Sequence, residues 1–221
     1  MFKILIKFLG RGIVMGEIDD KLKRQRRLRI WSLRIVAVCL CFMIIFDGTS
    51  WSNGSVVPKA MVWTGAVSIG LAIGGRVWTR AFLGHRKAWQ VVADGPYSIV
   101  RHPLYMFSII GTVGIGAQTE SLVMMLAVVL PVSLILYWMT RIEEADLTLR
   151  FDETYRAYQA RTPRLWPNPS LWVPSEVTSI DYKMVAWTFC ESALMALVIP
   201  LFMLLRLAQA AHLIAVLYRT P

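Results

Sequence analysis

Two polar stretches interrupt the apolar runs of this 221-residue chain, and they carry its chemically capable side chains. The first is Gly95-Pro96-Tyr97-Ser98-Ile99-Val100-Arg101-His102-Pro103-Leu104-Tyr105. It packs a turn signal, two phenols, a guanidinium and an imidazole into a short space. Pro103 biases His102 toward extended backbone and suits the first turn of a following helix. The stretch therefore predicts a loop that delivers Arg101, His102 and Tyr105 to one place at a helix start. The second stretch, Arg141-Ile142-Glu143-Glu144, follows an apolar run and adds carboxylates. A guanidinium, an imidazole and two carboxylates can bind charged groups and move protons. Taken singly, each stretch has a plainer account. Glu143 and Glu144 suit the exposed start of an amphipathic helix, where acidic residues complement the dipole. Arg101 and His102 suit a basic interfacial loop. The long apolar segment between them, Leu104 to Tyr137, reads as a helical hairpin, which returns the second stretch to the face that holds the first.

The elements that must position these groups are membrane helices. Hydrophobic residues make up 56% of the chain, charged residues 17%, and the mean hydropathy is +0.52. A soluble domain carries roughly a quarter charged residues, and several apolar runs here approach the ~20 residues that cross a bilayer. The expected fold is all-α: a polytopic integral-membrane bundle of about five spans, with a helical hairpin and an amphipathic helix at the cytosolic face. The net charge of +10 fits cytoplasmic loops and anionic lipid better than nucleic acid. Cys39, Cys41 and Cys190 lack the clustering with histidine that a zinc site needs, so no metal is expected.

Residues 1–30 form a basic, amphipathic N-terminal segment, expected in the cytoplasm and without a signal peptide. Residues 31–92 hold two spans, about Trp31 to Phe46 and Val57 to Trp78, then a basic loop with His85. Gly65, Gly70, Gly74 and Gly75 let the second span approach a neighbour, and Arg76 and Arg80 mark its return to the cytoplasm. Residues 93–167 hold the two polar stretches. The hairpin arms there are Leu104 to about Ala117 and Ser121 to Thr140, with a kink at Pro131. From Glu143 to Arg161 the pattern becomes amphipathic, with Leu147, Phe151, Tyr155 and Tyr158 at helical spacing. Thr162-Pro163-Arg164 should end that helix. Residues 168–221 continue a Pro- and Trp-rich interfacial loop or lid. A last span follows, about Val185 to Leu205, in an apolar region split by Pro200.

The order Gly95-Pro96-Tyr97, Val100-Arg101-His102-Pro103-Leu104-Tyr105, Glu143-Glu144, Phe151 with Tyr155 and Tyr158, and Thr162-Pro163-Arg164 with Pro167 resembles the isoprenylcysteine carboxyl methyltransferase family, which is related to the phospholipid N-methyltransferases. The resemblance covers about Ala93 to Pro167. It implies an integral-membrane methyltransferase that uses S-adenosylmethionine in a pocket at the cytoplasmic face. The acceptor would be a lipophilic small molecule or lipid-modified group reached from the membrane lipid. On that resemblance Arg101, His102 and Glu144 are the expected catalytic residues. Tyr97, Arg101, His102, Tyr105, Glu143 and Glu144 are the expected cofactor contacts, and Arg161 and Arg164 would orient the acceptor, with a weaker part for Arg80 and His85. Arg101 or His102 suits the cofactor's carboxylate, a glutamate its ammonium or ribose, and the tyrosine faces its sulfonium or adenine. Carboxyl O-methylation leads. An amine or thiol acceptor, an NADPH-dependent reductase of the sterol type and a non-enzymatic membrane protein are the alternatives.

Overall fold

The computed structural model describes residues 31, 34, 35, 38, 45, 47–49, 51, 55–84, 90–175 and 181–220. The chain divides into two units, Met1–Cys39 and Leu40–Pro221. In the first, Trp31, Arg34, Ile35 and Val38 are helical, and the Arg34 guanidinium lies over the Trp31 ring at 5.5 Å. The basic N-terminal segment, most of the first expected span, Cys39, Cys41 and the His85 loop lie outside the described residues.

The second unit is a helical bundle. Helix α1 spans Val56–Leu83, with Ser55 as its N-cap. A short turn of helix, α2 (Pro96–Ile99), leads to α3 (Pro103–Ala117), and both begin on a proline at the position where the missing N–H costs nothing. Helix α4 runs Leu122–Arg161 and starts at Ser121, whose hydroxyl accepts from Met124 N at 3.1 Å. Helix α5 (Tyr182–Ala193) is capped by Asp181, passes through a 3-10 segment, Leu194–Leu197, and continues as α6 (Val198–Ala210). Among the described residues three segments are long and apolar enough to cross a membrane: α1, α4 and the α5–α6 run. Helix α3 is apolar but shorter. The all-α membrane bundle is therefore the fold observed.

Several boundaries differ from expectation, each for a local reason. Helix α1 continues past Trp78 to Leu83, because no glycine or proline stops it before Gly84. The second hairpin arm and the amphipathic helix are one element, since nothing between Thr140 and Glu143 interrupts the helical pattern. The backbone stays helical through Pro131; the break falls at Asp152, with φ 38° and ψ −114°. In the last span the helix tightens at Leu194–Leu197. Pro200 has no N–H to give the Ala196 carbonyl, so the hydrogen-bond ladder is disturbed one turn before the proline itself.

Helices α1 and α3 pack antiparallel. A Cβ on Gly114 would lie 2.7 Å from the Gly65 carbonyl oxygen, so the backbones meet directly there. Gly75 faces Phe107, whereas Gly70 and Gly74 face open space. At the other end Leu83, Val92 and Tyr97 form a buried cluster on which Leu104 packs. This fixes the C-terminal end of α1 beside the start of α3. The opposite end is closed by a feature the sequence did not announce: Asp47–Thr49 (β1) pairs in parallel with Tyr218–Thr220 (β2). Strands of three residues carry too little alternation to read. Around them Ser121 Oγ and Thr220 Oγ1 lie 2.7 Å apart, Trp51 Nε1 donates to the Glu120 carbonyl, and Arg206 donates to the Thr119 carbonyl and to Gln209.

Candidate functional site

His102 is the N-cap of α3, with φ −126° and ψ 62°. This backbone is neither helical nor fully extended, and it is held from outside the helix. Arg101 N donates to the Pro163 carbonyl at 2.8 Å, and His102 N to the Arg164 carbonyl at 3.2 Å. Asn168 N reaches the Ile99 carbonyl, and Gly95 N the Val173 carbonyl. The segment after α4 thus runs back along residues 95–102 as a strap. Trp172 of the strap stacks on Trp78 of α1 at 6.1 Å. At Gly95 φ is +55°, and a side chain would also meet the Phe82 ring, so the turn before Pro96 needs glycine.

The strap and the hairpin bring three of the expected residues onto the carboxylate of a fourth, Glu144. Glu144 is only 4% exposed. Its Oε1 takes Arg101 Nη1 at 2.8 Å, His102 Nε2 at 3.1 Å and Arg164 Nε at 3.0 Å. Its Oε2 takes Arg164 Nη2 at 2.6 Å. Arg164 therefore grips Glu144 with both prongs of its fork, the strongest geometry for this pair. Its remaining nitrogen donates to Tyr137 Oη at 3.1 Å. Burial alone would raise the Glu144 carboxyl, but the hydrogen bonds from His102 and Arg164 and the charge of Arg101 outweigh it and hold the group at about 2. The Glu144 bond in turn raises Arg164. An ionised carboxylate only accepts, so His102 must carry its proton on Nε2. That leaves Nδ1 facing Glu143, whose Oε2 is 3.8 Å away.

The other expected residues surround this core. The Tyr105 ring meets His102 edge-on at 5.6 Å. Glu143 flanks the imidazole. The Tyr97 side chain lies in the apolar cluster with Leu83 and Val92, and its carbonyl accepts from Tyr158 Oη at 2.7 Å. Arg161 stands over the Tyr158 ring at 6.0 Å. Beyond the break at Asp152, Tyr155 and Tyr158 are buried with their rings 5.8 Å apart. Burial pushes both phenols up; the Glu144 charge adds to this at Tyr155 and the neighbouring phenol at Tyr158. Two buried donors at this core are left unused: among the described residues Arg101 Nε and Tyr155 Oη have no hydrogen-bond partner of sound geometry.

Sequence reasoning missed Tyr137, whose signal was its place one turn before Arg141 on α4. It also missed the polar contacts of Arg76, which donates to Ser192 Oγ at 2.8 Å and Ser108 Oγ at 2.5 Å. Serines in apolar helices, at positions 108 and 192, were the available sign.

Residues 60–154, which contain both polar stretches, match the phospholipid methyltransferase family. The chain is 32% identical over 153 residues to the cobalt-zinc-cadmium resistance protein CzcN of Cupriavidus metallidurans, covering 69% of each chain. It is 31% identical over 153 residues to the nickel-cobalt-cadmium resistance protein NccN of Alcaligenes xylosoxydans xylosoxydans, covering 69% of this chain and 70% of that one. No solved structure matches. An integral-membrane helical bundle with this core and these relatives belongs to the phospholipid methyltransferase family.

Proposed function

We propose that the chain is an S-adenosylmethionine-dependent methyltransferase that O-methylates the carboxylate of a lipophilic acceptor, with its site facing the cytoplasm. The observation that carries this reading is the enclosed Arg101–His102–Glu144–Arg164 cluster, set where apolar helices end, inside the stretch that matches the family. The residues fit the cofactor. Arg101 Nε and Tyr155 Oη are buried and, among the described residues, lack a well-formed hydrogen bond, although Arg101 and Tyr155 lie close enough to interact; a ligand that completed both would remove the cost of that state. A carboxylate with neighbouring hydroxyls would satisfy both. Glu143 and the Tyr105 face suit an ammonium and a sulfonium. Bound S-adenosylmethionine would supply an electrophilic methyl on that sulfonium.

The chain's own residues bind, orient and exclude water. Arg164 and His102 fix Glu144, and Glu144 fixes Arg101, so the unused face of the guanidinium is preorganised. A carboxylate acceptor needs no base, which agrees with an imidazole whose Nε2 is already committed to Glu144. An anion reacting with a cation loses charge along the path, so a dry site at the end of an apolar bundle favours the reaction. Arg161 remains a proposed acceptor contact at the rim. Arg164 shares that proposal only through its outer edge, since each of its nitrogens is engaged.

CzcN and NccN are named for metal resistance. Among the described residues no group of three or more His, Cys, Asp or Glu is placed to hold a metal ion. We connect this chain to such a role through a methylated membrane component. The test is labelling in nanodiscs with methyl-labelled S-adenosylmethionine and a panel of lipophilic acids, amines and thiols. The proposal expects label on an acid, released as methanol by alkali because it sits in an ester. Alkali-stable label on an amine or thiol would overturn the carboxyl assignment.

A further inference from the structure

The charges of the cluster just described balance: Arg101 and Arg164 stand against Glu143 and Glu144. A second cationic group lies beneath it and does not balance. Arg76, Thr79 and Arg80 share one face of α1, at the spacing i, i+3, i+4. Arg76 is held by Ser108 and Ser192 and feels the charge of Glu191 on α5. Arg80 has no ion pair or side-chain hydrogen bond among the described residues, and its Nε is buried. Thr79 is 0% exposed and its hydroxyl has no partner among the described residues. That is unusual in this very fold. Thr64, Thr112 and Thr188 each return their hydroxyl to the carbonyl four residues back.

The position of this face follows from the packing. Helices α1 and α3 are antiparallel, and Arg76 is bonded to Ser108. Four residues further along α1, about 6 Å at the helical rise, Arg80 comes level with Leu104, in the first turn of α3. Leu83 packing near Leu104 agrees with that register. A guanidinium without an ion pair among the described residues and a buried hydroxyl, on successive residues of α1 at the level where α3 begins, supply the two kinds of donor an anion receptor needs.

We infer that Arg80, with Thr79 beside it and Arg76 one turn deeper, receives the carboxylate of the lipophilic acceptor. This rests on the methyltransferase reading for its meaning, though not for its binding chemistry. A guanidinium fork matches two carboxylate oxygens, and Thr79 adds one neutral donor. The apolar tail then extends along the bundle toward lipid, and the reacting oxygen faces His102 and Tyr105. A lipid phosphate offers similar chemistry, so the test must separate the two.

The test uses a diazirine-bearing palmitate analogue in phosphatidylcholine nanodiscs at alkaline pH, where the acid is ionised. The expected result is saturable photo-labelling of the full chain, displaced by palmitate and not by hexadecanol or phosphatidate. Arg80→Gln should cut saturable labelling about tenfold, and Arg80→Lys should keep part of it. Because Arg80 makes no ion pair among the described residues, Arg80→Gln should unfold at the wild-type temperature, so the loss cannot be ascribed to misfolding. Labelling of Arg80→Gln at the wild-type level overturns the inference, as does equal displacement by hexadecanol. Displacement by phosphatidate at parity with palmitate overturns the carboxylate assignment. S-adenosylhomocysteine binding, measured on the same samples, should be intact in Arg80→Gln. Its absence in the wild type would sink the methyltransferase reading and leave the anion site standing.

Discussion

At the scale of residues, one buried carboxylate is shared by three cationic or polar donors. Glu144→Ala removes the acceptor that holds Arg101, His102 and Arg164 together. Breaking a buried pair from one side costs on the order of 3 kcal/mol. The variant should melt several degrees below the wild type in detergent and should not bind S-adenosylhomocysteine. The carboxyl is held at about 2, below its ordinary value. Its stabilising contribution is therefore complete above the unfolded pKa of about 4.3 and is lost as pH falls from there through 2. Melting curves should show the wild type weakening over that acid window and Glu144→Gln lacking this component. A Glu144→Gln profile that falls in parallel with the wild type would place the acid sensitivity elsewhere. Tyr155→Phe separates folding from binding. Removing a buried, unpartnered hydroxyl should leave stability unchanged or raised by about 1 kcal/mol, while cofactor affinity drops by about tenfold. A destabilised Tyr155→Phe that binds normally would show the hydroxyl to be structural.

At the scale of elements, the hairpin and the strap perform different tasks. The hairpin returns Glu144 to the level of His102; the strap sets the backbone of both Arg101 and His102 and supplies Arg164. The first was legible in the sequence, because apolar run length, glycine position and proline position carry it. The strap was legible only as a Pro- and Trp-rich segment. Its register along residues 95–102 depends on backbone hydrogen bonds, which have no side-chain signature. For the same reason Arg164 read as an acceptor contact while the structure closes it on Glu144. The α1–α3 contact is tight enough to test directly. At Gly114 a Cβ would meet the Gly65 carbonyl, so Gly114→Val should cost about 1–3 kcal/mol by overpacking. Gly70→Val faces open space and should cost far less. Thermal unfolding of the two variants side by side would show the difference, and equal effects would argue against the helix crossing described.

At the scale of the whole molecule, a bundle with a balanced polar cluster at one end and the Arg76–Arg80 face of α1 near it suits the proposed pairing of a charged cofactor with an apolar, anionic acceptor. Membrane class was readable from composition alone, because charge is scarce and apolar runs are long. The paired strands at the far end and the tightened turn before Pro200 were not, since both arise from how chain segments meet. The central claim is that this site holds S-adenosylmethionine. The most direct test is calorimetric titration of the purified, folded protein with S-adenosylhomocysteine, with NADPH as the control. The account predicts micromolar binding of the first and none of the second. Binding of NADPH alone, or of neither ligand, would contradict it.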